Sequence, residues 1–233
     1  MVAKLVRHSP FNRRERDALL LLPHRLSKLG RRQLIVREGD TVNRCCLLLS
    51  GFASCFKLAG KGNAQMLSIH LRGDLIDLDN SIVGIADCSI ETLTEAEVAF
   101  IPRQALTDIA ASYPAIGRSF LKEAVIDGAI IREWLLNVGQ RNARERISHL
   151  LCELAVRQGT AGISNGQKYA WPMTQEQVGQ ATGITPVHVN RTVQSLRAEV
   201  LIELDSRNVT ILNWERPQKA GDFQRAYLHD TQN

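Results

Sequence analysis

The sequence predicts an α+β protein in which an N-terminal β-roll of the jelly-roll type is joined by a long helix to a C-terminal helical unit that ends in a β-hairpin. Turn residues recur at short intervals early in the chain, an apolar repeat with helical spacing follows, and two short helical patterns precede two strand patterns near the end. With 233 residues, 44% of them hydrophobic, the chain can bury two cores. We therefore expect domains at residues 1–113 and 142–233, joined by a helix over residues 114–141.

Composition narrows the class of protein. The formal net charge of +5 permits binding to a polyanion without establishing it. Residues 1–10 lack the apolar stretch of a signal peptide, and no apolar run reaches the length of a membrane-spanning helix, so we expect a cytoplasmic protein that does not associate with membranes. The five cysteines include no CxxC pair and no cluster with histidine. We expect no metal site, no cofactor and, because no catalytic constellation is evident, no enzymatic activity.

The N-terminal part is predicted to form short antiparallel strands after one helix. The helix covers residues 13–22 and is ended by Pro23, and turns follow at Gly39, Gly51 and Gly73. The predicted strands are residues 34–36, 45–49, 53–58, 65–71, 89–93 and 98–101. Together they form a small barrel or sandwich.

Two cysteines of this region are candidates for a redox response. If Ser50 and Gly51 form a two-residue hairpin turn, Cys46 and Cys55 lie opposite each other on neighbouring strands, within reach of a disulfide. The alternative is that both are small buried hydrophobic residues.

The helix predicted over residues 114–141 carries a regular apolar stripe. Its members are spaced alternately by four and three residues, which is typical of a coiled-coil seam. The seam comprises Gly117, Leu121, Ala124, Gly128, Ile131, Leu135 and Val138. Small side chains at positions 124 and 128 allow two helices to approach closely, so we expect a homodimer. The alternative is that the stripe packs on the strand domain of the same chain.

Two helix starts define the motif on which the functional prediction depends. Thr174 and Gln177 have the spacing of a capping box, which predicts a helix that begins there and ends before Gly183. Thr185 followed by Pro186 combines an N-cap residue with a proline in the first turn, and predicts a second helix that runs to about residue 196. A preceding helix is predicted over residues 143–158.

This helix pair has the arrangement of a helix-turn-helix. Side chains near the start of its second helix are placed to contact base edges of double-stranded DNA: Val187, His188, Asn190 and Arg191. A helix pair with a glycine turn also occurs in many helical proteins. Strand patterns at residues 201–204 and 209–212 predict a β-hairpin wing, and this hairpin, the basic charge and the predicted dimer favour DNA binding.

The chain resembles the cyclic AMP receptor protein and fumarate-nitrate regulator (Crp/Fnr) superfamily of bacterial transcription factors over nearly its whole length. The resemblance is most specific at residues 173–196 (MTQEQVGQATGITPVHVNRTVQSL), residues 142–154 (NARERISHLLCEL) and the Gly73-Asp74 turn. It implies a β-roll like that of cyclic-nucleotide-binding domains, a winged helix-turn-helix, and a homodimer that binds a palindromic operator and contacts RNA polymerase. It also implies that Thr174 and Gln175 contact phosphate and that positions 186, 187, 190 and 191 contact bases.

The chain departs from the superfamily pattern at the positions that bind a cyclic nucleotide or an iron–sulfur cluster in other members. Members that bind cyclic nucleotides resemble one another in a glutamate that holds the ribose and an arginine that holds the phosphate, whereas this chain has Leu78 and Cys88 at those places. No lysine or arginine occurs from residue 73 to residue 102, so we expect no cyclic AMP dependence. The alternative is a regulator gated by a cyclic nucleotide or another small molecule. No cysteine precedes Cys45, so the iron–sulfur cluster of the oxygen-sensing members is not expected.

The chain continues beyond the wing as a polar extension, residues 214–233. Its apolar residues have spacings compatible with a short helix. The extension could cap the dimer or pack on the barrel.

Overall fold

The computed structural model describes residues 1–60, 62–164, 167–205 and 207–229, which divide into two compact units. The first unit comprises Met1–Lys57 and Ile69–Gly128, and the second comprises Leu58–Ser68 and Ala129–Asn233. The predicted mixed α and β architecture, with its β-roll, long helix and C-terminal helix-turn-helix, is confirmed.

The β-roll consists of two four-stranded sheets. Its strands are β1 (Arg25–Leu29), β2 (Leu34–Val36), β3 (Arg44–Ser50), β4 (Ala53–Leu58), β5 (Ala64–His70), β6 (Leu75–Ile76), β7 (Ser89–Thr92) and β8 (Ala96–Pro102). One sheet has the order β1-β8-β3-β6 and the other the order β2-β7-β4-β5. The six predicted strands are present. The prediction missed β1, which is mostly exposed, and β6, which has only two residues.

Four helices accompany these sheets. They are α1 (Val2–His8), α2 (Arg13–Leu20), α3 (Leu78–Val83) and α4 (Arg103–Ser112). A reciprocal capping box between Asn12 and Glu15 starts α2. The prediction missed α1, α3 and α4, which lack comparable side-chain caps at their starts.

The predicted opposition of Cys46 and Cys55 is wrong. Strands β3 and β4 follow each other in the chain but lie in different sheets, so the Ser50-Gly51 turn carries the backbone from one sheet to the other and does not close a hairpin. Cys46 is a buried free thiol opposite Phe100 of β8. Cys55 instead forms a disulfide with Cys88, with 6.3 Å between the two Cα atoms.

The long helix α5 (Pro114–Gln140) begins and ends within a residue of its prediction. Its first turns close the core of the first unit, where they meet α1, α4 and one face of the sheet that contains β3. This core includes Leu5, Leu47, Ile101, Ile109, Ile116 and Phe120. Because α5 continues into the second unit, one helix takes part in both cores.

The second unit contains the last turns of α5 and the elements that follow. They are α6 (Ala143–Thr160), β9 (Lys168–Ala170), α7 (Gln175–Thr182), α8 (Pro186–Ala198), β10 (Ile202–Asp205), β11 (Asn208–Ile211), α9 (Glu215–Ala220) and a 3₁₀ helix (Arg225–Leu228). The strands form a sheet of order β10-β11-β9. The predicted wing hairpin is therefore present, and β9 is a further strand that the sequence did not predict. No helix of the described residues is long and apolar enough to cross a membrane.

A buried ion triad joins three elements of the first unit. The Lys4 ammonium of α1 lies 2.8 Å from the Asp74 carboxylate and also pairs with Glu123 of α5. Both carboxylates are almost fully buried. Burial lowers the pKa of Lys4, but the charges of Asp74 and Glu123 outweigh this effect and raise it above its ordinary value. The lysine therefore compensates two carboxylates that have little access to water.

Replacing Lys4 by alanine is expected to lower the free energy of unfolding by ~3–5 kcal/mol, because it removes the cation that contacts both buried carboxylates. Urea unfolding measures the change. The matched control is Lys28→Ala, which removes an exposed pair with Glu97 and is expected to cost less than ~1 kcal/mol. Equal losses for the two variants would contradict the role assigned to the triad.

Candidate nucleic-acid interface

The start of α7 is fixed by the predicted capping box. The Thr174 side-chain oxygen accepts a hydrogen bond from the Gln177 backbone N–H at 3.2 Å, and the Gln177 side-chain oxygen accepts one from the Thr174 N–H at 3.0 Å. Gln175 lies exposed in the first helical turn. A residue at this place can donate to a phosphate, as can free N–H groups of a helix start.

The turn between α7 and α8 depends on two glycines. Gly183 ends α7 in the left-handed conformation, with φ of 67°. Gly179 lies where α7 meets the turn: a Cβ atom there would be 2.6 Å from the carbonyl oxygen of Ile184. No side chain fits this space, so the two helices approach closely. The Arg146 side chain of α6 donates a hydrogen bond to the Thr182 carbonyl oxygen at 2.8 Å, which connects the end of α7 to α6.

Helix α8 buries one face and exposes the other. Its N-cap Thr185 accepts a hydrogen bond from the His188 N–H at 3.3 Å, and Pro186 follows in the first turn. The buried face contains Val189, Val193 and Leu196. The predicted DNA-contacting residues all lie on the exposed side: Thr185, Pro186, Val187, His188, Asn190 and Arg191. Packing of the apolar face therefore turns this set of residues outward.

The structure brings two of the predicted residues together. The Gln175 side-chain amide donates a hydrogen bond to the Asn190 side-chain oxygen at 3.2 Å, which links the start of α7 to α8. Arg191 makes no ion pair with any of the described residues, so its guanidinium is available to a ligand. The prediction omitted Gln194, which is exposed one turn beyond Asn190 and belongs to the same face by its i, i+4 spacing.

The wing supplies a further cation. Strands β10 and β11 are antiparallel with Ile202 opposite Ile211, and β9 pairs with the other edge of β11. Arg207, in the connection between β10 and β11, is exposed, while its backbone oxygen accepts a hydrogen bond from the Trp171 N–H at 2.8 Å. The prediction missed this residue, although a basic residue in the turn of a wing is the signal that could have identified it.

An ion pair fixes the far end of α8. The carboxylate of Glu199, the C-cap residue, accepts two hydrogen bonds from the guanidinium of Arg144 in α6. These bonds and one from Ser195 lower the pKa of Glu199 to about 2. The negative charge of Glu199 at this end of α8 is therefore balanced by the guanidinium of Arg144.

Comparison with known proteins agrees with this geometry. Residues 145–216 match the Crp-like helix-turn-helix domain, and residues 26–113 match the cyclic nucleotide-binding domain. The chain belongs to the Crp/Fnr family of transcription regulators. It is therefore a DNA-binding regulator, as predicted from the residues of α7 and α8.

The relatives of this Crp/Fnr regulator are distant but extend over most of the chain. The anaerobic regulatory protein of Haemophilus influenzae is 24% identical over 200 residues, which cover 86% of this chain and 77% of that protein. The transcriptional activator protein FnrA of Stutzerimonas stutzeri is 24% identical over 202 residues, covering 87% and 82%. The structure of FixK2 from Bradyrhizobium japonicum has a TM-score of 0.77 at 20% identity and covers 85% of this chain and 98% of its own.

The predicted dimer seam of the regulator lies partly exposed on α5. Leu121, Ile131 and Leu135 are exposed, Leu121 by 65% and Leu135 by 72%. Ala124, Gly128 and Val138 are half-buried. The stripe is thus only partly covered by the described residues of the same chain.

In the β-roll, Leu78 and Cys88 occupy the positions at which the resemblance leads us to expect cyclic-nucleotide contacts. Leu78 is buried at the start of α3, and Cys88 is tied to Cys55. The neighbouring Asp77 is also buried; burial raises its pKa to about 7, and it accepts a hydrogen bond from the Cys46 N–H. Among the described residues, no group of three His, Cys, Asp or Glu side chains could hold a metal ion.

Proposed function

We propose that this regulator binds a palindromic operator as a homodimer, with α8 of each protomer in the major groove, and that it does so without cyclic AMP. The observation that carries the proposal is the exposed face of α8, on which the predicted base-contacting side chains lie together at the start of the helix.

A protein that binds the genome of a bacterium acts in the cytoplasm. Contact with RNA polymerase stays a prediction that rests on the family resemblance.

The chemistry of α8 suits direct contact with base edges. The Arg191 guanidinium can donate two hydrogen bonds to the O6 and N7 atoms of guanine, and the Asn190 amide can donate to an acceptor beside it. Val187 and Pro186 offer apolar surface to a thymine methyl group. Thr174, Gln175, Thr185 and His188 border this set, and Arg207 of the wing is placed to contact phosphate.

The exposed part of the stripe on α5 supports self-association. Leaving leucine side chains such as Leu121 and Leu135 in water forgoes ~1.5–3 kcal/mol each relative to full burial. A second copy of α5 would cover the stripe, and the small residues Ala124 and Gly128 permit close helix packing. A two-fold dimer also presents two copies of α8 to the two halves of a palindrome.

Cyclic AMP independence follows from what replaces the nucleotide-binding groups. Cys88 stands where the resemblance leads us to expect the arginine that pairs with the phosphate, and it belongs to a disulfide, so this position offers no bidentate partner. A leucine at position 78 cannot accept hydrogen bonds from a ribose.

Replacing Arg191 by alanine is expected to weaken binding to the selected operator by ~1–3 kcal/mol while leaving binding to random DNA nearly unchanged. Fluorescence anisotropy with both DNAs measures the two losses. The matched variant Arg207→Ala removes a phosphate contact and is expected to weaken both complexes alike and to reduce the salt dependence by about one charge. Equal losses on operator and random DNA for Arg191→Ala would contradict a base contact.

A second candidate function is a response to thiol oxidation. It is favoured by the Cys55–Cys88 disulfide, because disulfides in cytoplasmic proteins are usually redox-sensing or catalytic. The two thiols form this bond by giving two protons and two electrons to an oxidant such as a hydroperoxide, which is reduced to an alcohol and water. The bond ties the segment after α3 to β4, at the place where the family holds its effector.

For the effector, we expect operator affinity to be unchanged by cyclic AMP and to differ between dithiol-reduced and peroxide-treated protein. Cys88→Ser should abolish the second difference, because it cannot form the bond. Cys152→Ser is the control, since this buried thiol lies outside the β-roll. Identical affinities of the reduced and oxidised wild type would exclude the redox response, and tightening by cyclic AMP would contradict nucleotide independence.

A further inference from the structure

The chain beyond the wing forms a strap over α6. We call residues 214–229 the C-terminal strap; most of it lies beyond the matched helix-turn-helix domain, which ends at residue 216. Its apolar residues Pro217, Phe223 and Leu228 are buried. Gly221 rests directly on the α6 backbone, because a Cβ atom there would lie 2.5 Å from the His149 nitrogen and 2.8 Å from the Ser148 carbonyl carbon. Only glycine permits this contact.

A fully buried carboxylate connects the strap to two helices. Glu153 of α6 accepts hydrogen bonds at one oxygen from the Trp134 indole N–H of α5, at 3.0 Å, and from the Tyr227 hydroxyl of the strap, at 2.8 Å. Its other oxygen accepts a hydrogen bond from Arg157 at 3.1 Å. Arg157 lies on α6 like Glu153 itself, so the two hydrogen bonds at the first oxygen are the ones that require α5, α6 and the strap to keep this arrangement.

A second set of contacts holds the joint between α5 and α6. Arg141, which lies between these helices, pairs with Glu133 of α5 at 2.7 Å and contacts the Asp222 carboxylate of the strap at 3.4 Å. The buried His149 ring lies 3.0 Å from the Tyr227 oxygen and is stacked on the Tyr227 ring. Asp222 and Tyr227 of the strap therefore both contact groups at the same joint.

From these contacts we propose that the C-terminal strap is a positioning element that locks the angle between the last turns of α5 and the helix-turn-helix, so that the dimer accepts one separation of operator half-sites. The inference rests on the proposed function: α5 lies at the two-fold axis of the proposed dimer, so this angle sets the distance between the two α8 helices. Tyr227, Trp134 and Glu153 are positioning residues, and none of them contacts DNA.

Gly221→Ala is the sharpest test, because it displaces the strap without removing any hydrogen-bonding group. Binding is measured to the preferred operator, to operators lengthened by one or two base pairs between the half-sites, and to a single half-site. Discrimination between the preferred and lengthened operators is expected to fall roughly 3- to 10-fold, the equivalent of losing one or two hydrogen bonds, while half-site affinity is unchanged. Gly139→Ala is the matched control, since a Cβ atom on this glycine of α5 meets nothing within 4 Å.

A second pair of variants, which remove only a hydroxyl group, tests the proposal even if Gly221→Ala does not fold. Tyr227→Phe removes the strap's hydroxyl from Glu153 and His149, whereas Tyr169→Phe removes a buried hydroxyl that donates to the Leu151 carbonyl oxygen of α6 at 2.8 Å. Each variant removes one hydroxyl that contacts α6, but only Tyr227→Phe should relax the spacing preference. Unchanged discrimination in Tyr227→Phe, or a parallel loss of half-site binding, would overturn the proposal.

Hydrogen exchange tests the strap without DNA. Amides of residues 137–149 are expected to exchange faster in Tyr227→Phe, by roughly 3- to 10-fold, while those of α8 stay unchanged. Unchanged exchange at the joint would overturn the positioning role. Failure of the wild type to bind any DNA would instead overturn the proposed function, so the two failures are distinguishable.

Discussion

The close approach of Gly179 to the carbonyl oxygen of Ile184 determines how the second unit can present α8. A Cβ atom at position 179 would lie 2.6 Å from that oxygen, so any other residue would force α7 and the turn apart. With the helices in contact, Val189 and Leu196 are buried and the opposite side of α8 faces outward. The outward orientation of the proposed DNA-contacting surface is thus a consequence of packing.

Local signals explain which parts of the fold the sequence predicted. The capping residue Thr174 and the Thr185-Pro186 pair act within one helical turn, so the bounds of α7 and α8 were predicted closely. Contacts between residues that are far apart in the chain leave no such local signal in the sequence. Strand β9 exists because it pairs with β11, and Cys55 meets Cys88 because consecutive strands enter different sheets, which a hairpin rule cannot foresee.

The two units of the chain keep different parts of the family chemistry. The second unit retains the helix-turn-helix with its glycines, caps and exposed donors, whereas the first retains the β-roll but places Leu78 and Cys88 where nucleotide contacts are expected. The strap adds a constraint that no local motif predicted, because it depends on the shared contacts of Glu153 with Trp134 and Tyr227. The proposed locking of the joint agrees with the proposal that this regulator binds DNA without cyclic AMP.

The central claim is that two copies of α8 recognise a palindrome. Selection of bound DNA from a random double-stranded pool by the purified full-length chain, in reducing and in oxidising buffer, tests it most directly. The account predicts enrichment of two inverted half-sites whose centres lie about one helical turn, ~10 base pairs, apart. Enrichment of a single asymmetric site, or of no sequence in either buffer, would contradict it.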